Sequence, residues 1–281
     1  MHAGNTDTAL DHLNGIYQLG QILEHEPVMV SQLVRIAIHG IGVGAVGSLL
    51  SPGELTPQQV RQVTSMLRQM DYRQGVADSL WGETQAGLSS FDAMRAGDLR
   101  PELIGLHGTD RGDRLFQHLY SSPLGRPWLN LDEAAYAEVM GQMTQAAPAA
   151  NFYEAIPALQ AIRNEIEALP RTRVFTRALT PALTVYLEAP ARATAQNELA
   201  QIGLTLELQY HGQAAYPADL YEIESAFGSP LPLDPYSGQP YRYEQLATGF
   251  LLYSIGSNLQ DDGGRHIPRV LEGDIVWRGA P

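Results

Sequence analysis

The stretch "SIGSNLQDDGG", residues 254–264, carries three oxygen-bearing side chains, Asn258, Asp261 and Asp262, within five positions. Gly256, Gly263 and Gly264 stand among them and permit the left-handed turns that aim backbone carbonyls inward. "EGDIVW" then brings Glu272 and Asp274 to the start of a last strand. Oxygen donors of this kind suit a hard divalent cation, since Ca²⁺ takes about six to eight oxygen ligands at about 2.3–2.6 Å. Two adjacent acids also repel unless a cation or solvent screens them. The EF-hand loop pattern is absent. An Asx/Gly surface turn accounts for the same residues, and spacing alone leaves the two readings open.

Other chemistry has weaker footing. "GVGAVG", residues 42–47, preceded by "VRIAIHGI", matches the glycine spacing of a dinucleotide fingerprint, in which backbone approaches a pyrophosphate at a helix N-terminus. The expected context fails, because the following stretch reads as a capped helix ending near Asp71 rather than as a second strand closed by an acid. The plainer reading is a helix whose small residues Ala37, Gly40, Gly44 and Ser48 let a neighbour approach. The eight histidines, His2, His12, His25, His39, His107, His118, His211 and His266, form no HExxH pair. No GxSxG elbow is present. Glu83, Asp92, Asp132 and Glu133 are carboxylates on helices, and nothing in their spacing singles out an acid–base pair; they read as solvated faces.

The elements that must hold these residues change character along the chain. Residues 6–170 read as helices. Leu10, Leu13, Ile16, Tyr17, Leu19 and Leu23 fall near one stripe. The most apolar run, residues 27–50, carries Arg35 and His39 near its middle and reads as a buried helix rather than a membrane span. In "LTPQQVRQVTSMLRQMD", Thr56 is the expected N-cap, with Pro57 at the first helical position and Gln59 three residues after the cap. Residues 98–112 and 121–130 read as loops. "RALTPALTVYLEAPARATAQNELAQIGLTLELQYHG" reads as a long helix broken or kinked at Pro181 and Pro190. Short segments follow, of which "YRYEQLA", "GFLLYSIG" and "DIVWR" have strand composition. The expected fold is α+β: an all-helical region over residues 1–172, then over 173–281 a long helix packed on a small antiparallel sheet.

The chain has 281 residues, enough to bury a real core, with 44% hydrophobic and 17% charged residues. Its net charge of −13 argues against nucleic acid and anionic membrane surfaces, which are bound through clustered cations. All 18 basic residues are Arg, so Schiff-base and Walker lysine chemistry are excluded. With no Cys, disulfides, thiol nucleophiles and Cys-zinc sites are excluded too. "MHAGNTDTALDHLNG" has neither a basic n-region nor an apolar h-region, so no signal peptide is read there, and any membrane anchor is expected outside these residues.

The C-terminal series "TAQNELAQIGLTLELQYHG", "LPLDPYSGQPYRY", "GFLLYSIGS", "DDGG" and "GDI" resembles the globular domain of the major pseudopilins of type II secretion. The resemblance implies a calcium-stabilised loop, with the Ile255 carbonyl as a backbone ligand and Asp261, Asp262 and Asp274 in its acidic part. Asn258 stands where pseudopilins commonly carry Asp; its amide oxygen coordinates with one charge fewer. The segment "RHIPRVLE" is an insertion relative to that pattern. The whole chain is also similar to a group of planctomycete-type envelope proteins of no settled activity, through "EPVMVSQLVRIAI" and the tail, over about residues 8–95 and 190–278. The expectation is a non-enzymatic cell-envelope structural or interaction protein, pilus- or secretion-related, with protein partners, no nucleic acid, and a Ca²⁺ site at Ile255, Asn258, Asp261, Asp262 and Asp274. The rival expectation is an enzyme, either a hydrolase using helical acids or a dinucleotide binder through Gly42, Gly44 and Gly47. A third leaves the loop empty and makes the helical region a binding module through Trp81 or Trp128.

Overall fold

The computed structural model describes residues 6–49, 55–96, 98, 122–147, 152–265 and 273–279. In chain order the helices are α1 (Thr6–Gln21), α2 (Met29–Leu49), α3 (Pro57–Leu67), α4 (Arg73–Ala96), α5 (Arg126–Ala146), α6 (Phe152–Ala168), α7 (Val174–Tyr186), α8 (Ala189–Gln213) and the single turn α9 (Glu224–Phe227). Strands β1 (Arg242–Gln245), β2 (Phe250–Ser254) and β3 (Ile275–Gly279) form an antiparallel meander in the order β1-β2-β3. The fold is α+β, as the sequence predicts. The expected loop over 98–112 lies outside the described residues apart from Asp98. That over 121–130 is shorter than expected: Pro123–Gly125 is a 3-10 turn and α5 starts at Arg126. Pro127 fits this first turn because its missing N–H has no intrahelical partner to lose.

Local signals are realised where their partners are close. The Thr56 hydroxyl accepts from the Gln59 N–H at 3.3 Å, and the Gln59 side chain accepts from the Thr56 N–H at 2.8 Å, closing the capping box. The long helical stretch breaks before Pro190, which enters the first turn of α8, while the helical backbone continues through position 181.

α8 is the element that the others cover. Ala191, Ala195, Leu199, Ile202 and Leu206 form one stripe, packed with Tyr216, Ile223, Tyr241, Phe250, Leu252 and Ile275. Ala193, Ala200 and Leu204 form another, packed with α1 to α3 through Leu13, Val46, Val60, Val63 and Leu67. A helix apolar on two sides has no single amphipathic face, and burial on both is what holds it. Trp277 on β3 contacts both groups. A Cβ on Gly203 would lie 2.3 Å from the Trp277 Nε1, and one on Gly47 would lie 3.5 Å from its ring, so glycine makes room for the indole on either side. A separate apolar cluster joins α4, α5, α6 and α7 through Leu80, Phe91, Tyr136, Met140, Ile162 and Phe175.

α2 departs from expectation. It is the apolar helix the sequence predicts, with mean hydropathy 1.5 over Met29–Gly47, but only 33% of that window is buried. Its buried side chains include Gln32, Arg35 and His39, while Val30, Val34 and Ile41 are exposed. On that inner face Gln32 and Arg35 meet polar partners, and His39 is packed among aromatic rings. Gln32 Nε2 donates to the Leu23 and Glu26 carbonyls at 2.8 and 2.9 Å, tying the α1–α2 turn. The Arg35 guanidinium pairs with Glu24 at 3.2 Å and lies over the Tyr72 ring. His39 stacks on Tyr17 with ring centroids 5.7 Å apart. A Cβ on Gly40 or Gly44 would meet nothing within 4 Å, so the close approaches on α2 are at Gly42, against Ile16, and at Gly47.

Asp132, Glu83 and Glu133 are joints between helices, whereas Asp92 is a solvated residue as expected, its side chain 78% exposed. Asp132 on α5 is fully buried and accepts from the N–H groups of Phe175 and Thr176 at 2.8 and 3.1 Å and from the Thr176 hydroxyl at 2.7 Å. It thus caps α7 from another helix and satisfies donors that helix starts leave open. Glu83 on α4 does the same for α2, accepting from the Met29 N–H at 3.1 Å. Glu133 and Asp92 both engage Arg95.

Two outcomes follow from these joints. Asp132→Ala strands buried donors and is expected to lower the unfolding free energy by about 2–4 kcal/mol in urea denaturation. His39 is held neutral: burial, and then the Arg35 charge, lower its pKa from the ordinary 6.5 to about 4. The unfolded chain binds the proton more readily, so stability is full above the unfolded value and is lost as pH falls toward the folded one. His39→Leu should reduce the loss between about pH 7 and pH 5 by about 2 kcal/mol, read from denaturation curves at both pH values.

Candidate functional site

The acidic loop leaves the end of β2 and meets the start of β3. β2 is apolar on both faces, with Phe250 and Leu252 against α8 and Leu251 against Gly264, so its register is fixed where the loop begins. A Cβ on Gly256 (φ +67°) would lie 2.1 Å from the Gly273 carbonyl oxygen. Only glycine lets the loop's first turn come this close to the entry of β3. Gly263 and Gly264 have φ of +69° and +71° and turn the chain back.

Within this frame Asn258, Asp262 and Asp274 share one hydrogen-bonded patch. Asn258 Nδ2 donates to Asp262 Oδ2 at 2.9 Å, and the Asp262 N–H donates to Asp274 Oδ1 at 3.4 Å. The Gly264 N–H donates to Asp274 Oδ2 at 2.7 Å. Asp274 is 2% exposed. Burial pushes its carboxyl pKa up, and the charges of Asp262 and Asp261 push it further, against the two N–H donors. Among the described residues neither Asp262 nor Asp274 has an ion pair. Asp261 is engaged differently: it accepts from the Tyr253 hydroxyl at 3.0 Å and the Gly263 N–H at 3.0 Å, and pairs with Arg242 at 3.3 Å. Its carboxyl is held below the ordinary value, first by the Gly263 N–H and then by Tyr253 and Arg242. The structure therefore brings Asn258, Asp262 and Asp274 together and ties Asp261 to β1 and β2. Among the described residues no three His, Cys, Asp or Glu side chains form a ready metal cage. The Asn258 Oδ1 accepts from the Gln260 N–H at 3.1 Å. Glu272 lies outside the described residues.

Ile255 is placed by a residue that spacing did not single out. Asp234, in "LPLDPYSG", is 2% exposed and accepts from the Ser254 hydroxyl at 2.7 Å, the Ile255 N–H at 3.3 Å, the Tyr236 N–H at 3.1 Å and the Ser237 hydroxyl at 2.9 Å. Its backbone also bonds Gln239 and Gly238, closing the turn. The available signal was local: Asp-Pro followed by Ser is an Asx-turn pattern. What made Asp234 central was the arrival of Ser254 and Ile255, twenty residues on.

Gly42, Gly44 and Gly47 sit inside the continuous α2, so no helix N-terminus stands at the motif to cradle a phosphate. Trp81 and Trp128 are exposed, at 62% and 44%. Comparison with protein-family models, curated proteins and solved structures returns no match for this chain.

Replacing Asp234 leaves a hydroxyl and N–H groups without acceptors in the interior. Asp234→Ala is expected to lower the unfolding free energy by about 3–5 kcal/mol. It should also speed amide hydrogen exchange across residues 254–264 while leaving α4 to α6 unchanged.

Proposed function

We propose that this chain is a non-enzymatic structural or interaction protein of the cell envelope, related to pilus or secretion assemblies, whose C-terminal loop takes up Ca²⁺. Asp262 and Asp274 supply the charge, Asn258 an amide oxygen and Ile255 a backbone carbonyl, with Asp261 adding its field from the next position. The observation that carries this reading is the buried Asp274 carboxylate beside Asp262, with no cationic side chain among the described residues paired to either. Such a pair is costly in a dry site and is relieved by a divalent ion. The long helix on a three-stranded meander, with a Pro-Asp-Pro-like turn feeding the loop, agrees with the pseudopilin resemblance. The exposed Val30, Val34 and Ile41 on α2 support the interaction part, since contiguous apolar surface on a folded protein marks contact sites.

The ion acts by linkage, adding RT ln(1 + [L]/Kd) to stability. At about ten times a Kd in the extracellular range of about 10⁻⁴–10⁻³ M this is about 1.4 kcal/mol, or about 3–5 °C in Tm. Melting in chelator and in millimolar CaCl₂ should differ by that amount, and NAD(P) should leave both curves in place. Asp262→Asn with Asp274→Asn should abolish the calcium shift. Identical melting of the wild-type chain with and without calcium would remove the metal from this reading; stabilisation by NAD(P) would favour the enzyme instead.

A further inference from the structure

The outer side of α2 carries no charge. Val30, Val34, Ala37, Ile41 and Gly44 recur at intervals of four, three, four and three residues, and all five are exposed. Val30, Val34 and Ile41 keep 60%, 45% and 65% of their surface in solvent. Leu33, Ile38 and Ala45 flank this line and are half-buried. Arg35 and His39, the ionisable residues of α2, are fully buried on the opposite side. The other long helices differ. α1 and α3 to α7 each expose at least one charged side chain, among them Asp11, Arg61, Asp92, Glu138, Glu165 and Arg177.

Apolar residues spaced 3.5 apart on average form the seam by which one helix packs along another at a shallow angle. The spacing therefore points to a helix as the occupant of this face. The seam is also complementary to itself. An antiparallel copy, related by a two-fold axis level with His39, sets Val34 against Gly44 and Ile41 against Ala37, and makes each pair twice. Every such layer joins a larger side chain to a small one. A Cβ on Gly44 would meet nothing within 4 Å, so its backbone can be approached closely. A parallel copy would set Val34 on Val34 and Gly44 on Gly44, crowding one end and leaving a gap at the other.

Charge selects the same occupant. In a chain of net charge −13, two copies repel in most orientations, and the α2 seam lets them meet without like charges in contact. A helix lying on a bilayer lines its polar flank with basic residues; α2 exposes none, and the exposed Glu26 precedes it.

We propose that α2 is the interface of a homodimer in which two copies pack α2 against α2 in antiparallel, Val34 on Gly44 and Ile41 on Ala37 of the second copy. The face runs about 20 Å from Val30 to Gly44. A contact of that length falls below the roughly 1,200 Å² of stable complexes, so the dimer is reversible, with a Kd of about 10–100 µM. It involves no residue of the acidic loop, and its measurement in chelator separates it from the calcium reading.

Sedimentation velocity of the full chain in chelator, from about 5 to about 300 µM, should show a monomer–dimer equilibrium. Ile41→Glu places a charge on the seam at an exposed position and should raise Kd about tenfold or more while melting stays as in the wild type. Gly44→Leu fills the space that Val34 of the second copy needs, with the same effect on Kd. Leucine is the better helix former, so its melting temperature should not fall. The chain has no cysteine, so an introduced thiol reports its own neighbour. Ala37→Cys and Ile41→Cys, mixed and mildly oxidised, should cross-link to each other more than each to itself; the reverse yield overturns the antiparallel packing. Ala158→Cys, exposed on α6, sets the collision background. The proposal fails if the wild-type chain stays monomeric at about 300 µM. In that case, binding to phosphatidylcholine vesicles that Ile41→Glu abolishes would assign the face to a bilayer instead. It fails equally if folded Ile41→Glu and Gly44→Leu dimerise as the wild type does, which places the contact elsewhere.

Discussion

α8 presents apolar residues on two opposite sides, and each neighbour in the fold is placed by the side it covers. Leu199, Ile202 and Leu206 require a sheet, which β1 to β3 supply; Ala193, Ala200 and Leu204 require helices close to the axis, which α2 and α3 supply. The small side chains on the second face let those helices approach. Trp277 then fills the angle between them, against Gly203 and Gly47, so the last strand is packed by helices from the first fifth of the chain and from its last third. A helix apolar on two sides cannot stand apart from such cover, because the entropy of ordering its residues is offset by the burial of both stripes.

Between these apolar contacts, the buried polar groups act at joints where a backbone would otherwise be left unsatisfied. Asp132 closes the start of α7, Glu83 the start of α2, Asn197 receives the last turn of α3 by donating to the Leu67 carbonyl at 2.9 Å, and Asp234 gathers the end of β2. Each lies far in sequence from the group it serves. In a low-dielectric interior the cost of leaving such donors or acceptors unmade exceeds the modest gain of making them. These residues therefore fix the angles at which elements meet more than they add net stability.

In the acidic loop, Asp274 is buried beside Asp262 while Arg242 is spent on Asp261, so negative charge remains. Asp234 anchors the start of that loop from the preceding turn, through the Ser254 hydroxyl and the Ile255 N–H.

The helix start at Thr56, the β composition of Phe250–Ser254, the break at Pro190 and the acids of the loop were legible in the sequence. Each depends on neighbours a few residues away, and short-range backbone chemistry decides it. Which side of α2 is buried was not legible. Its apolar content suggested a core helix, and only Glu24, the Leu23 and Glu26 carbonyls and the Tyr72 ring, arriving from the preceding turn and from the α3–α4 turn, made the Gln32–Arg35–His39 side the inner one. The same holds for Asp132, Asp234 and Glu198. A carboxylate in a sequence is equally a solvated residue, a cap or a site; the donor that meets it, 43 positions away for both Phe175 and Tyr241, is chosen by tertiary packing alone.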